Sequence, residues 1–304
     1  MREQQPLPHV RRFNRTVGEV LGVTGDRFLG RKRPPGESRI LWEIGSDGVD
    51  VRLLRRRLGL DSGYVSRVLQ SLARQGLVRV AVDRLDRRVR RASLTAKGTA
   101  ERAHLDRRSD ALADRLLQPL SDRHRERLVA AMTEVERLLR ASMVRFAVVD
   151  PASSDARWCL QQYFRELDAR FEGGFDQARS IPADAMQLRA PAGLLLLAYA
   201  RERAVGCGAL KVHPGAPAEL KRMWIDPEWR GVGLGARLLA ELERHAREAG
   251  VRVIRLETNH VLEEAIALYR GAGYAEVPRF NDEPYAQHWF EKRLPRQPRR
   301  ATRR

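Results

Sequence analysis

Residues 230–236 read Arg-Gly-Val-Gly-Leu-Gly-Ala and open onto an apolar helical stretch. Arg230, Gly231, Val232, Gly233, Leu234, Gly235 and Ala236 therefore form a turn suited to holding an anion. Glycines let backbone N–H groups converge on phosphate oxygens, and a helix N-terminus adds a favourable dipole. Two phosphate motifs can be weighed against these residues. Gly231, Gly233 and Ala236 satisfy the GxGxxA form of the dinucleotide fingerprint, and Glu257 lies about the right distance on, but that fingerprint needs a strand running straight into its first glycine. Here Asp226-Pro227-Glu228-Trp229-Arg230 intervenes after Ile225. A P-loop is excluded because no Gly-Lys-Ser/Thr follows. What remains is Arg-x-x-Gly-x-Gly, made of Arg230, Gly233 and Gly235.

The elements that must position this turn begin near residue 145. A strand is expected over VRFAVVD (144–150) and a helix over 154–171, followed by two strands joined by a tight turn, GLLLLAYARE (193–202) and AVGCGALKVH (204–213). Next come a strand over 218–226, the turn, a helix over 234–250, a strand over 251–258, a helix over 262–273 and a strand over 274–280. Antiparallel strands first and a β-α-β-α-β series second make an α/β domain with a mixed sheet.

The Arg-x-x-Gly-x-Gly pattern resembles the pyrophosphate-binding motif of the GNAT acetyltransferases. LETNHVLEEAIALYRGAGYAEV (256–277) is similar to that family's later motif, and the resemblance covers a domain of residues 147–294. It implies an acetyl-CoA-dependent N-acetyltransferase acting on a primary amine, with acetyl-CoA as the acetyl donor and its pyrophosphate in the turn. Tyr269 would point at the thioester sulfur, and Asn259 would sit near the pantetheine or the adenylate side. The backbone of Met223, Trp224 and Ile225 would pair with the pantetheine amides in β-strand fashion. Arg230 would supply positive charge or clamp the loop. An alkyl ammonium has a pKa near 10, so a general base must remove its proton. Glu219, eleven residues ahead of Arg230 where several relatives carry a basic glutamate, is the first candidate; Glu257 is the second. The backbone N–H of Ile225 would stabilise the oxyanion, and Tyr269 would protonate the departing thiolate.

The acceptor is less defined. RFEGGF (170–175) and RFNDEPYAQHWFEK (279–292), which includes Tyr285, read as pocket walls. Arg170, Arg222 or Arg279 could receive an acceptor carboxylate, because a guanidinium matches a carboxylate in a bidentate way. A small amine or amino-acid-like acceptor and a protein lysine both remain open.

Charge sets the first half of the chain apart. Residues 1–145 hold 32 Lys and Arg against 18 Asp and Glu, whereas residues 146–295 hold 20 against 21. Residues 295–304 read as a basic disordered tail, with five arginines and no acids. Within the basic half, Val51 to Leu58 reads as a short helix. GLDSG then leads into a second helix, capped by Asp61 or Ser62 and ended by Gly76. Val65, Val68, Leu69 and Leu72 face a core, which leaves Ser62, Gly63, Tyr64, Ser66, Arg67, Gln70 and Arg74 looking outward. Such side chains suit a helix that reads base edges and holds phosphates. An apolar and basic alternation then surrounds DRLDRR, a hairpin tip carrying Arg84, Arg87 and Arg88. Asp83, Asp86, Arg87 and Arg88, followed by Leu94, Thr95 and Gly98, resemble the wing of the MarR-family winged-helix regulators.

That second resemblance covers residues 1–144. It implies a DNA-binding winged helix-turn-helix, rich in α-helix with a small β wing, acting on double-stranded DNA as a homodimer. The dimer would be formed by the N-terminal helix, with Val10, Phe13, Val17, Val20 and Leu21 apolar, and by two C-terminal helices broken at Pro119. Leu128, Met132, Val135, Leu138 and Leu139 of the last helix make a stripe that could be core or dimer seam.

The expectation is thus a multidomain chain, a winged helix followed by an α/β domain with a mixed sheet, combining transcription regulation with acetyl transfer. Two alternatives remain: the second domain could bind acetyl-CoA or a metabolite only as a sensor, or the winged helix could serve only dimerisation. Cys159 and Cys207 read as small buried hydrophobes in a reducing compartment, and no metal-ligand spacing occurs. With no signal peptide or membrane-length apolar run at hand, the expectation is a soluble cytoplasmic protein without membrane contact.

Overall fold

The computed structural model describes residues 6–21, 33–83, 86–181 and 183–295, and the chain divides into two units, Met1–Met132 and Thr133–Arg304. The first unit opens with α1 (Pro6–Leu21), α2 (Pro35–Ile44) and a two-residue strand β1 (Val49–Asp50). Helices α3 (Val51–Leu58) and α4 (Ser62–Arg74), strands β2 (Val78–Val82) and β3 (Arg90–Leu94), and helices α5 (Ala96–Leu117) and α6 (Asp122–Ser142) follow.

Side chains account for these helix starts. Asp50 accepts from the Arg52 N–H at the head of α3, and Asp61 accepts from the Tyr64 N–H at the head of α4. Each cap satisfies a donor the helix cannot, a contribution of about 1 kcal/mol. Thr95 caps α5 by accepting from the Gly98 N–H, while its hydroxyl donates to the Gly76 carbonyl at 2.7 Å. Gly98 is required by close approach, since a Cβ there would lie 1.9 Å from the Leu77 carbonyl oxygen. The Leu94-Thr95-Gly98 pattern therefore docks α5 onto the start of the hairpin. The three strands form an antiparallel sheet in the order β1-β3-β2. β1 adds a strand beyond the expected hairpin, and two residues are too few to show a period.

Ile40, Leu41, Leu54, Val65, Leu69 and Leu72 build the core of this unit. Among the described residues, the stripes on α1 and α6 do not join a core. Leu7, Val10 and Phe13 are exposed, as are Met132, Leu138 and Leu139.

The second unit contains β4 (Arg145–Val149), α7 (Ser154–Arg170), β5 (Gly193–Ala200), β6 (Arg203–Lys211) and β7 (Ala218–Ile225). It continues through α8 (Leu234–Glu248), β8 (Val253–Thr258), α9 (Glu263–Gly271), β9 (Ala275–Glu276) and β10 (His288–Arg293). The sheet order is β4-β5-β6-β7-β8-β10-β9, and only β7 and β8 run parallel as neighbours. Both faces are covered, which explains the unbroken apolar run in β5. Leu195 and Leu197 pack with Ala156 and Cys159 of α7, whereas Leu196 packs with Leu238, Leu239 and Leu242 of α8. Cys159 and Cys207 are both buried and free.

One boundary differs from the sequence expectations. Only Ala275–Glu276 of the 274–280 stretch is strand, because Pro278 lacks an N–H, and β10 takes the place beside β8. The division between units falls within α6. The end of α6 is tied into the second unit: Arg237 donates to the carbonyls of Ala141 and Val144, the latter at 3.0 Å, and Arg137 donates to the Arg230 carbonyl at 2.9 Å.

One feature of the sheet makes room for a ligand. β7 and β8 pair only at Ala218 with Ile254 and at Glu219 with Arg255. Beyond those residues they part, and the facing edge of β7 from Leu220 to Ile225 is left without a strand partner. No described helix is long and apolar enough to cross a membrane.

Candidate functional site

The glycine turn sits at the mouth of this opening. Asp226 accepts from the Glu228 N–H at 3.0 Å and starts a single 3-10 turn, Pro227–Trp229. Gly231 and Gly233 then take left-handed φ values of 76° and 75°, which cost an L side chain about 1–2 kcal/mol. Gly233 occupies the cap position of α8, and no side chain caps that helix. The first N–H groups of α8 are thus available to an anion. A cavity of 530 Å³ lies against them, bounded by Met223, Trp224 and Ile225 on one side and by Leu268 and Tyr269 on the other. Arg230, Gly231, Gly233, Leu234, Gly235 and Ala236 all line it. Val232 does not; it packs inward against the cluster of Val144, Val205 and Leu234.

Arg230 is a clamp. Its Nε donates to the Ile225 carbonyl at 2.9 Å, and its terminal nitrogen donates to Glu166 Oε2. The same Glu166 oxygen accepts from the Trp224 indole at 2.8 Å, and Glu166 Oε1 accepts from Arg170 at 3.3 Å. Burial alone would raise the Glu166 carboxyl, but Arg230 and Trp224 outweigh it and hold the group below the usual carboxylate range. Glu166 thereby joins α7, β7 and the turn. It carries no local sequence signal, because its partner Arg230 lies 64 residues away.

The Ile225 carbonyl meets Arg230 on the side away from β6, while the following N–H, that of Asp226, donates to Val205 in β6 at 2.9 Å. In an extended strand, the N–H and C=O of one residue share an edge. The Ile225 N–H therefore points into the opening.

A second, smaller cavity of 90 Å³ adjoins the first, and Tyr163, Met223 and Tyr269 line both. Burial pushes the Tyr269 phenol well up, with the nearby Tyr163 and Glu257 adding to it, so it remains a proton donor at neutral pH. Glu257 lines the small cavity, its side chain 7% exposed, paired with Lys221 and accepting from Asn281 at 3.3 Å. Glu219 lines neither cavity. It meets His213 Nε2 at 2.8 Å and Lys221 at 3.2 Å, and although burial would raise its carboxyl, Lys221 and Lys211 hold it low.

The remaining candidates divide between the cavities. Asn259 lines the small cavity, not the large one; its amide donates to the Tyr285 carbonyl at 2.8 Å and its oxygen accepts from the Val261 N–H. Arg170 lines the large cavity and is taken up by Glu166, Glu264 and the Val261 carbonyl. Arg222 and Tyr285 line the small cavity, and the Tyr285 hydroxyl accepts from the Asp176 N–H at 2.8 Å. Arg279 is 57% exposed and paired with Asp282. His288 is paired with Glu276.

In the first unit, Ser62, Gly63, Ser66, Arg67, Gln70 and Arg74 of α4 are exposed. Tyr64 is half-buried, its ring leaning on Gly36, so it is turned partly away from the outer face. At the wing tip, Asp83 accepts from the Asp86 N–H and Asp86 accepts from the Arg88 N–H. These acids close the turn and leave Arg87 and Arg88 exposed. Arg84 lies outside the described residues. Arg52, Arg55 and Arg90 line a 380 Å³ groove together with Ser62, Ser66 and Gln70. Sequence reasoning passed over these arginines; the i, i+3 spacing of Arg52 and Arg55 was the available signal.

Comparison with known proteins agrees with both halves. Residues 160–274 match the acetyltransferase (GNAT) family, and residues 30–89 match the MarR family. An "IAA acetyltransferase" of Azospirillum brasilense is 38% identical over 126 residues, which is 41% of this chain and 80% of that protein. A GNAT-family acetyltransferase of Staphylococcus aureus aligns with 50% of this chain and 99% of its own, at 17% identity and a TM-score of 0.44. FabT of Streptococcus pneumoniae, solved in complex with DNA, aligns with 44% of this chain and 97% of its own, at 20% identity and a TM-score of 0.40.

Proposed function

From the premise that this chain belongs to the GNAT acetyltransferase family and carries a MarR-family winged helix ahead of that domain, we propose that it is a DNA-binding regulator that also acetylates a primary amine. The observation that carries this reading is Tyr269 standing where the 530 Å³ cavity meets the 90 Å³ one. The large cavity takes acetyl-CoA. Its pyrophosphate goes to the uncapped N-terminus of α8 and its pantetheine to the free edge of Met223–Ile225. Acetyl-CoA supplies an activated thioester. The small cavity takes the amine.

The residues of this chain divide the work. The amine must first lose a proton, and Glu257 is the base, its support being its position in the wall beside Tyr269. Glu219 acts from a distance through Lys221, with which both glutamates pair. The amine nitrogen then attacks the acetyl carbonyl carbon; an N–C bond forms and the C–S bond breaks. The Ile225 N–H stabilises charge developing on the carbonyl oxygen. Of the two protons the ammonium loses, one leaves through Glu257, and the departing sulfur takes the equivalent of the other from Tyr269.

The winged helix binds double-stranded DNA through α4, the wing tip and the groove arginines Arg52, Arg55 and Arg90. It does so as a homodimer. The exposed stripes of α1 and α6 support that reading, because they find no core among the described residues.

Calorimetric titration of acetyl-CoA into the full chain, with NAD as control, followed by a free-thiol assay on a panel of amines, tests the enzymatic half. Saturable binding with amine-dependent thiol release is expected. Binding without turnover on any amine would make the domain a sensor, and no binding would remove the reading. A second copy of the chain in solution, measured by sedimentation, tests the dimer.

A further inference from the structure

The small cavity holds a cation that no anion answers. Lys221 is matched by Glu257 and Glu219. Glu283, also buried, accepts from Ser180 Oγ at 2.9 Å and from the Ile181 N–H at 2.8 Å. Arg222 is 9% exposed and lines the cavity. Its guanidinium lies 4.7 Å from the ring centre of Phe164 and 5.8 Å from that of Tyr163, and among the described residues no carboxylate pairs with it. A stacked guanidinium keeps its in-plane N–H donors available. The neutral Tyr163 phenol meets it, but a cation held this deep without a counter-charge is costly unless something supplies one.

The backbone at Arg222 is special as well. Its φ is 58°, a left-handed conformation inside a strand, at the bulge where the register between β6 and β7 shifts. The Cys207 thiol donates to the Arg222 carbonyl at 3.3 Å and supports it there. The other described non-glycine residue with positive φ, Arg201, occupies the β5–β6 turn, where such backbone is ordinary. Strain of this kind persists where the surroundings over-determine it, commonly at binding sites.

We infer that Arg222 binds the free carboxylate of a compact amino acid whose amine is the group acetylated. The inference rests on the acceptor site proposed above. Size supports it: 90 Å³ is less than the roughly 150 Å³ that accommodates a benzene ring. The far wall is filled by Phe171, Phe175 and Tyr285, whose ring centres lie 4.8 to 5.8 Å apart. Spacing supports it too. Arg222, Glu257 and Tyr269 all line this one cavity. The carboxylate end and the proton-transfer end thus face one small space, which suits an amine and a carboxylate on the same carbon. A lysine side chain in a protein brings no carboxylate and would leave Arg222 unanswered.

The test uses the full chain saturated with coenzyme A, titrated calorimetrically with glycine, alanine, serine and methionine, each beside its primary amide. A lysine blocked at both ends is the competitor. The acids should bind about 10- to 100-fold more tightly than their amides, the size of effect expected for hydrogen bonds to a charged group. Arg222→Ala should erase that preference while acetyl-CoA affinity stays as in the parent. Arg222→Lys should keep part of it, since charge remains but the fork is lost. Equal binding of acid and amide, no binding of any acid, or a preference for the blocked lysine would overturn the inference. Because these readouts need no turnover, they separate it from failure of the acetyltransferase reading, which shows as lost acetyl-CoA binding.

Discussion

Replacing Gly235 by glutamate should abolish acetyl-CoA binding while leaving the fold as stable as before. Gly235 is the second residue of α8 and lines the large cavity. A Cβ there meets only the end of Leu268, at 3.4 Å from Cδ2, and Ile225 Cγ1 at 3.9 Å, so a small turn of a flexible side chain admits it. Losing a helical glycine contributes about 0.5–1 kcal/mol, and an acid in the first turn about 0.3–1 kcal/mol more through the helix dipole. The melting temperature should therefore hold or rise by a few degrees. Binding behaves oppositely, because the new carboxylate takes the helix N-terminus that the pyrophosphate needs. At about 5 Å and an effective dielectric of about 20, each phosphate charge is repelled by about 3 kcal/mol. That corresponds to a loss of a few hundredfold in affinity per charge. Calorimetry gives the affinity, and thermal unfolding of the same sample gives the stability. If the variant keeps its melting temperature and binds acetyl-CoA within threefold of the parent, the phosphate does not sit on this turn.

Four further outcomes follow from the geometry. Tyr269→Phe should lower kcat by about 10²- to 10⁴-fold with acetyl-CoA affinity nearly unchanged, and equal turnover in both proteins would remove Tyr269 from proton transfer. Gly98→Ala should destabilise the winged helix by about 1–3 kcal/mol, because its Cβ collides with the Leu77 carbonyl; an unshifted unfolding transition would contradict that close approach. DNA affinity should fall steeply with salt, and Arg87→Ala should flatten the slope of log K against log salt by about 1 if this exposed tip residue meets a phosphate. The folded-state pKa of Glu166 lies below its ordinary 4.5, so its contribution to stability is complete above that value and is lost as pH falls through the depressed one. Unfolding of the second unit should grow easier with acid below about pH 4.5, and Glu166→Gln should weaken that dependence; an unchanged acid limb would count against the clamp.

The amino-acid sequence by itself determined everything that depends on neighbours a few residues apart. Asp61 and Thr95 start helices because a short oxygen-bearing side chain reaches a donor within three residues. Gly231 and Gly233 allow a turn that other residues resist. The basic bias of residues 1–145 and the unbroken apolar run of β5 were equally legible, as was the order of strands and helices around the turn.

What only the tertiary structure decided are pairings across long stretches of chain. No local pattern tells which of two glutamates reaches a cavity. Both Glu219 and Glu257 pair with Lys221, yet the parting of β7 from β8 leaves only Glu257 in its wall. Asn259 lines the small cavity and Arg170 the large one, and contacts with Tyr285 and Glu264 fix them there. Arg230 was readable as a charge or as a clamp, and Glu166, 64 residues away, makes it a clamp. Arg222 stands apart because isolation is a property of everything around a side chain. That no carboxylate pairs with it among the described residues is visible only when β7, α7 and the loop over the small cavity are in place.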